Sequence, residues 1–274
     1  NLFVHKKFGE GPHLCFAGHL DVVPPGDGWD TDPFTPIERE GILYGRGAQD
    51  MKSGVAAFIS AVKQTKSFKG TLSFIFTSDE EGPGIHGTKH VLEQLKAQNR
   101  LPDMAVVAEP TCGVDFGDTI KVGRRGSING TLKLFGKGGH AAYPEKAINP
   151  IHQIGDVINA LGGVNLDSGD DHFAPSQLVI TDIRAGYEVT NLSPGELKLM
   201  FNVRNSTNTT RDDVEAFVKK VLQENGLDNY ALNVAQSSWP FVTKSGAYTK
   251  MLVNSLSESI KEVSGITPEP STTG

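Results

Sequence analysis

Apolar residues recur along the chain in two different rhythms. From residue 1 to about 125, short apolar runs alternate with longer segments whose apolar positions return every three or four residues. The runs are Leu14 to Ala17, Thr71 to Phe76 and Met104 to Ala108, and the longer segments are Lys52 to Lys66 and Gly87 to Ala97. Short apolar runs bounded by turn residues predict buried strands, and the periodic segments predict helices, so this part has the alternation of an α/β sheet. Further on the order changes. Strand-like segments Ser127 to Phe135, Gln177 to Ala185, Glu196 to Arg204 and Tyr230 to Gln236 are interleaved with helical ones at Asn149 to Leu161 and Arg211 to Glu224. This βαββαβ order is that of a small ferredoxin-like α+β sandwich. After Trp239-Pro240 a helix from about Ala247 to Val263 returns to the first pattern. The expected organisation is one α/β domain built from residues 1–125 and 238–274, with 126–237 inserted as a second domain.

A length of 274 residues suits two cores better than one. With 38% hydrophobic and 21% charged residues the composition is that of a folded globular protein. No apolar run approaches the roughly 18 residues that a bilayer span requires, so no membrane association is expected. A net charge of -6 without a basic cluster argues against nucleic acid, because phosphate contacts need a concentrated Lys/Arg face. An anionic substrate would have to be met by local arginines. Cys15 lies in an apolar run and Cys112 after a Pro-Thr turn. Two such cysteines make no disulfide framework, and with no leader-like segment before them a reducing cytoplasm is the expected compartment. The start at Asn1 and the loop-like Ser271-Thr272-Thr273-Gly274 read as a piece lacking both termini.

Acids and one histidine gather at the expected strand ends. Gly18-His19-Leu20-Asp21 follows the first run, and residues two apart on an extended segment face the same side. His19 and Asp21 can then be a metal ligand with its orienting carboxylate, or a hydrogen-bonded structural histidine. Asp50, in Gly45-Arg46-Gly47-Ala48-Gln49-Asp50-Met51-Lys52, is either a ligand or a helix N-cap. Thr77-Ser78-Asp79-Glu80-Glu81-Gly82 crowds three acids after the second run, as a solvated turn or a metal site would, and Glu109 follows the third. Taken together, these residues at the carboxyl ends of sheet strands suit zinc or a pair of divalent ions. One carboxylate more than ligation needs would be left as a general base.

These segments resemble the dinuclear zinc deacylases and exopeptidases, a family that includes desuccinylases, acetylornithine deacetylases and glutamate carboxypeptidases. The first motif is Phe16-Ala17-Gly18-His19-Leu20-Asp21-Val22-Val23-Pro24, the second Gly45-Arg46-Gly47 to Lys52, the third Ser78-Asp79-Glu80-Glu81 and the fourth Ala108-Glu109-Pro110. The resemblance runs through the whole chain. It implies a zinc-exopeptidase-like catalytic domain carrying an inserted lid and dimerisation domain. It also implies two Zn2+ per subunit, with cobalt as a substitute. His19 and Glu109 would hold one ion, Glu81 the other, and Asp50 would bridge them; Asp21 would support His19 and Glu80 would be the catalytic base. A piece lacking its C-terminal part would leave the second ion one ligand short, and would be inactive.

In the second domain, Gly123-Arg124-Arg125-Gly126-Ser127-Ile128, Gly138-Gly139-His140-Ala141-Ala142-Tyr143-Pro144 and Asn149-Pro150 resemble the desuccinylase subgroup. Val189-Thr190-Asn191-Leu192-Ser193-Pro194 and Phe201-Asn202-Val203-Arg204 resemble the family's lid, although Asn191 stands where the subgroup often has two asparagines. The implied substrate is N-succinyl-LL-2,6-diaminopimelate, cleaved to succinate and diaminopimelate for lysine and cell-wall precursors. Guanidinium forks suit its several carboxylates. Arg124, Arg204, Ser127, Tyr143 and Asn191 are the implied contacts, although the arginines are equally the pattern of a solvated hinge and a surface strand end. His140 would reach the active site of a homodimer partner and stabilise the oxyanion. A deacylase or carboxypeptidase of the same family is the neighbouring reading, and a noncatalytic dimerisation or amino-acid-binding module the distant one. Glu80 speaks against the latter, since a binding module has no use for a base.

Overall fold

A computed structural model describes residues 1–273, which form two compact units. The first contains Asn1–Asp118 and Ser245–Pro268; the second contains Thr119–Lys244 and the segment from Glu269 onward. Among the described residues no helix is long and apolar enough to cross a membrane.

The first unit begins with β1 (Leu2–Lys7), β2 (His13–His19), a hairpin of β3 (Ile37–Arg39) and β4 (Ile42–Tyr44), and α1 (Ser53–Gln64). It continues with β5 (Thr71–Thr77), α2 (Thr88–Ala97) and β6 (Met104–Val107). Its sheet has the order β1-β5-β2-β6; β2 runs parallel to β5 and β6, and β1 closes one edge antiparallel to β5. Side-chain alternation splits the strands between two layers. Cys15 and Ile75 point with Val91 and Leu95 into one core. On the other face Phe16 stacks between Phe58 of α1, at 4.2 Å between ring centroids, and Phe74, at 5.7 Å. The β1 strand and the hairpin were not expected, because both are largely exposed and carry no buried run. A distorted turn over Ala48–Lys52 precedes α1, and within it Asp50 has a non-helical backbone and caps nothing.

The second unit opens with β7 (Thr119–Lys121), β8 (Gly123–Arg124), β9 (Ser127–Phe135) and β10 (Gly139–His140). Two short helices follow, α3 (Pro150–Gln153) and α4 (Gly155–Leu161), where a single one was expected. The Asn149 side chain caps the first by accepting from the Ile151 amide, and the break falls at Ile154, before Gly155. Then come β11 (Gln177–Ala185), β12 (Leu192–Ser193), β13 (Glu196–Arg204), α5 (Arg211–Glu224), β14 (Tyr230–Ser238) and β15 (Phe241–Val242). The long strands form an antiparallel sheet ordered β11-β13-β9-β14, the arrangement that the βαββαβ sequence requires. Its buried face holds Ile128, Leu132, Leu199, Phe201 and Val203, packed on Val157, Leu161, Val214 and Val218 of the helices. Gly130 lies under the Phe201 ring, where even a Cβ would collide at 1.9 Å. The chain returns to the first unit as α6 (Ala247–Ser264), and β16 (Glu269–Ser271) then pairs with β7 in the second.

Asp167 anchors the polar side of this second core. Its Oδ1 accepts from the Gly169 and Ser176 amides at 2.7 and 3.1 Å, and its Oδ2 from Ser206 Oγ and Thr209 Oγ1 at 2.8 and 2.5 Å. Partial burial opposes the charge, but the hydrogen bonds from Ser176, Thr209 and Gly169 outweigh it and hold the carboxyl far below the ordinary aspartate range. Removing the acceptor strands four donors, so Asp167→Ala is expected to lower the unfolding free energy at pH 7 by about 2–4 kcal/mol in urea titrations. An aspartate in the unfolded chain takes up a proton below about pH 3.9 while the folded one stays charged, so this contribution falls away as acid is added. The gap between wild type and variant should therefore be smaller at pH 3 than at pH 7.

Candidate metal centre

Because β2, β5 and β6 run in one direction, the residues that leave their carboxyl ends share one edge of the sheet. His19 ends β2 and pairs in register with Thr77, the last residue of β5. Glu80 and Glu81 follow in the next turn, Glu109 lies just past β6, and Asp50 comes from the distorted turn before α1. Main-chain and side-chain contacts fix the His19 segment. The Leu20 amide donates to the Thr77 carbonyl at 2.8 Å, and the His19 amide points at the Met51 sulfur at 3.4 Å. Gly18 leaves room for this approach, since a Cβ there would lie 2.9 Å from Val55 Cγ2 and 3.1 Å from Met51 Cε.

The imidazole is only 2% exposed. Its Nδ1 lies 2.9 Å from the Asp21 main-chain oxygen, which can only accept, so the Nδ1 proton is engaged there and Nε2 faces the acids. Nε2 is 3.1 Å from Asp50 Oδ1, 3.4 Å from Glu109 Oε1 and 3.9 Å from Glu80 Oε2. The Asp21 carboxylate was expected to orient this ring. Its Oδ1 is 3.6 Å from Nδ1, too far for a hydrogen bond, while Oδ2 accepts from the Glu80 and Glu81 amides at 3.0 and 2.9 Å. The ring is thus held by the Asp21 backbone, and the Asp21 side chain holds the turn that carries the two glutamates. Burial comes first in raising the Glu81 carboxyl above its usual range, followed by the charges of Asp50 and Glu80. Glu109 is raised by burial and then by Asp50. For His19, burial pulls downward, but the Asp21 carbonyl and the charges of Glu109, Glu80 and Asp50 together hold the imidazole above its ordinary value.

Two triplets of potential ligands result, His19 with Glu80 and Glu109, and His19 with Asp50 and Glu81, each with its ligand atoms within 4.8 Å of one another. His19 belongs to both. The expected partition was different: Asp50 was to be shared, Glu109 to join His19 and Asp50, and Glu80 to stand apart from the ligands. The donor set fits a divalent cation, because one imidazole and several oxygens suit zinc-like ions. Such charge would also offset the burial and the repulsion that raise Glu81 and Glu109. Buried oxygens without a hydrogen-bond donor, Asp21 Oδ1 and Thr77 Oγ1, lie in the same turns.

The remaining expected residues belong to the second unit. His140 and Tyr143 come together, with ring centroids 6.2 Å apart, and β10 pairs with β12 so that the Ala141 amide donates to the Asn191 carbonyl. Ser127 is buried, and its hydroxyl accepts from Asn202 Nδ2 at 2.9 Å, which engages it within the sheet. Arg124 and Arg204 are exposed at the ends of β8 and β13 and form no ion pair among the described residues. Met51 was missed, since a methionine following an acid carries no motif of its own. His13 is half-buried with Nε2 2.7 Å from Ser73 Oγ.

The model of the family described as peptidase family M20/M25/M40 matches residues 15–274. All 274 residues align at 60% identity with 74% of a succinyl-diaminopimelate desuccinylase from Nitratiruptor sp.. Among solved structures, an M20 metallo-carboxypeptidase from Sulfolobus solfataricus superposes with a TM-score of 0.76 at 18% identity, covering 99% of this chain and 74% of its own. A dinuclear metal-binding peptidase of the M20 family from Bacillus subtilis gives 0.65 at 17%, covering 99% and 69%. If His19 is a ligand through Nε2 and Asp21 acts only by positioning, the two substitutions separate in a chelator-competition titration. Asp21→Ala should weaken metal binding by the roughly 10- to 100-fold typical of an outer-shell loss, and His19→Ala by more. Equal losses would show that Asp21 does more than position the turn.

Proposed function

The chain belongs to peptidase family M20/M25/M40, and from that membership we propose that it works as a zinc-dependent, dinuclear succinyl-diaminopimelate desuccinylase. The observation that carries this reading is the 60% identity over all 274 residues with a curated protein of that name. The substrate is then an N-succinyl amino acid amide, the compartment the cytoplasm and the working form a homodimer joined through the inserted unit. Zinc is the proposed ion, with cobalt as a substitute.

Divalent cations held by His19, Asp50, Glu81 and Glu109 would polarise the scissile carbonyl and acidify a water. The residues of the chain supply the rest. Glu80, its side chain 47% exposed, is open to solvent and substrate in a way the half-buried Glu81 is not, which favours Glu80 as the base and Glu81 as a ligand. Glu80 accepts a proton from the attacking water as its oxygen bonds to the amide carbon. When the carbon–nitrogen bond breaks, Glu80 returns that proton to the departing amine, and succinate and diaminopimelate leave. Asp21 keeps Glu80 and Glu81 in register throughout. His140, acting on the partner subunit's centre, donates to the oxygen that gains charge. Arg124, Arg204, Tyr143 and Asn191 offer donors to the substrate carboxylates, and Ser127 contributes through its bond to Asn202.

The full-length protein is expected to hydrolyse succinyl-diaminopimelate at least tenfold faster than acetylornithine at equal concentration; the reverse order would sink the assignment. In the same protein Glu80→Gln should lower kcat by about 10²- to 10⁴-fold, the usual contribution of a general base, with metal content unchanged. Loss of bound metal in step with activity would exchange the roles of Glu80 and Glu81. Glu80→Gln and His140→Ala proteins, each inactive, should regain activity when mixed and allowed to exchange subunits. No recovery, with exchange shown independently, would place His140 in its own subunit's reaction or outside it.

A further inference from the structure

Three acids follow β5 in a row, Asp79, Glu80 and Glu81, and the structure divides them. Glu80 and Glu81 each join a triplet with His19, whereas Asp79 belongs to neither. Its side chain instead faces the loop that runs on from Glu81 to α2. Asp79 Oδ2 accepts from the His86 amide at 2.7 Å, and Oδ1 accepts more weakly from the Gly84 amide at 3.4 Å. The loop is shaped for this approach. Gly84 has φ +68°, in the left-handed region that favours glycine. A Cβ on Gly82 would lie 2.9 Å from Asp79 Oδ1, and one on Gly87 would lie 2.8 Å from the Asp79 main-chain oxygen. Glu80 and Glu81 therefore sit inside a ring that Asp79 closes. The ring hangs from the strand next to His19, because Asp79 is two residues beyond Thr77, the register partner of His19.

A loop with glycines at Gly82, Gly84 and Gly87 samples many conformations when nothing ties it, and each would carry the two glutamates to a different place. Two carboxylates remove that freedom in different ways. Asp21 Oδ2 takes the amides of Glu80 and Glu81 and so holds the two glutamates to each other. Asp79 takes amides five and seven residues further on, and so fixes the path by which the chain leaves Glu81. Bonds from N–H groups to a carboxylate are the stronger kind of hydrogen bond, and they outlast the loop's own tendency to open. We infer that Asp79 is a positioning residue of the metal centre. By closing the loop behind Glu81 it sets where the two glutamates stand relative to His19, and with that the affinity for the ion that Glu81 holds. This rests on the dinuclear reading of the centre with Glu81 as a ligand.

The test measures stepwise zinc affinity by chelator competition in full-length wild type, Asp79→Ala, Asp79→Asn and Gly87→Ala, with thermal unfolding of the metal-free proteins alongside. Asp79→Ala should weaken one of the two zinc ions by about tenfold, the lower end of outer-shell losses. Its kcat should fall while KM stays within about twofold, since the base moves together with the ligand. Asp79→Asn keeps an oxygen for the His86 amide and should stay within about threefold of wild-type affinity. Gly87→Ala leaves the carboxylate in place but presses on the Asp79 main chain, so it should weaken the same ion even if Asp79→Ala does not fold. Unchanged zinc affinity in Gly87→Ala, or in a folded Asp79→Ala whose unfolding temperature alone had dropped, would overturn the inference. Equal weakening in Asp79→Asn and Asp79→Ala would also overturn it, because charge rather than loop closure would then be responsible. These results leave the dinuclear reading in place, whereas wild type that bound fewer than two zinc ions would remove both.

Discussion

Like charge crowded around one buried imidazole is the constraint that organises the first unit. Asp50, Glu80 and Glu109 all bring a carboxylate oxygen within 4 Å of His19 Nε2, and Glu81 stands close enough to be perturbed by Asp50 and Glu80. Burial together with their mutual repulsion pushes the Glu81 and Glu109 carboxyls above their usual range. The fold accepts this through backbone geometry. Three parallel strands deliver the acids to one edge, and main-chain hydrogen bonds from Leu20, Glu80 and Glu81 prevent the turns from swinging apart. The sheet, with Phe16 and Phe58 on one side and Cys15 with Val91 on the other, serves as the rigid support for that edge.

The second unit solves a different problem. Its sheet packs one face against the helices, and the strand-like runs β9, β11 and β13 could be placed to the residue. Helix α5 was equally legible, because Thr210 and Asp213 form a capping box that marks its first turn. The single helix expected from Asn149 to Leu161 failed on a local detail. A pattern of apolar positions does not register a one-residue interruption before Gly155.

Much of the clustering of these candidate ligands was legible for a related reason. His19, Glu80, Glu81 and Glu109 sit at the ends of apolar runs, and runs are what periodicity detects. What could not be read was the division of labour inside the cluster. Asp21 was expected to touch His19 through its carboxylate, but two residues of spacing do not say whether a main-chain or a side-chain oxygen makes the contact. The role of Met51 rests on a distorted turn that folds a thioether under the His19 amide, and neither propensity nor pattern encodes such a turn.

The bond from one Asp21 oxygen to two successive amides has a kinematic meaning. Glu80 and Glu81 hang from a single pivot, so a displacement of the turn carries both together and leaves their spacing intact. Two adjacent carboxylates at one imidazole are thereby geared to each other. Substitutions in the surrounding turn can shift the pair as a block, but drift of one glutamate relative to the other is suppressed at its root. Diversification of such an enzyme would then be channelled away from this turn.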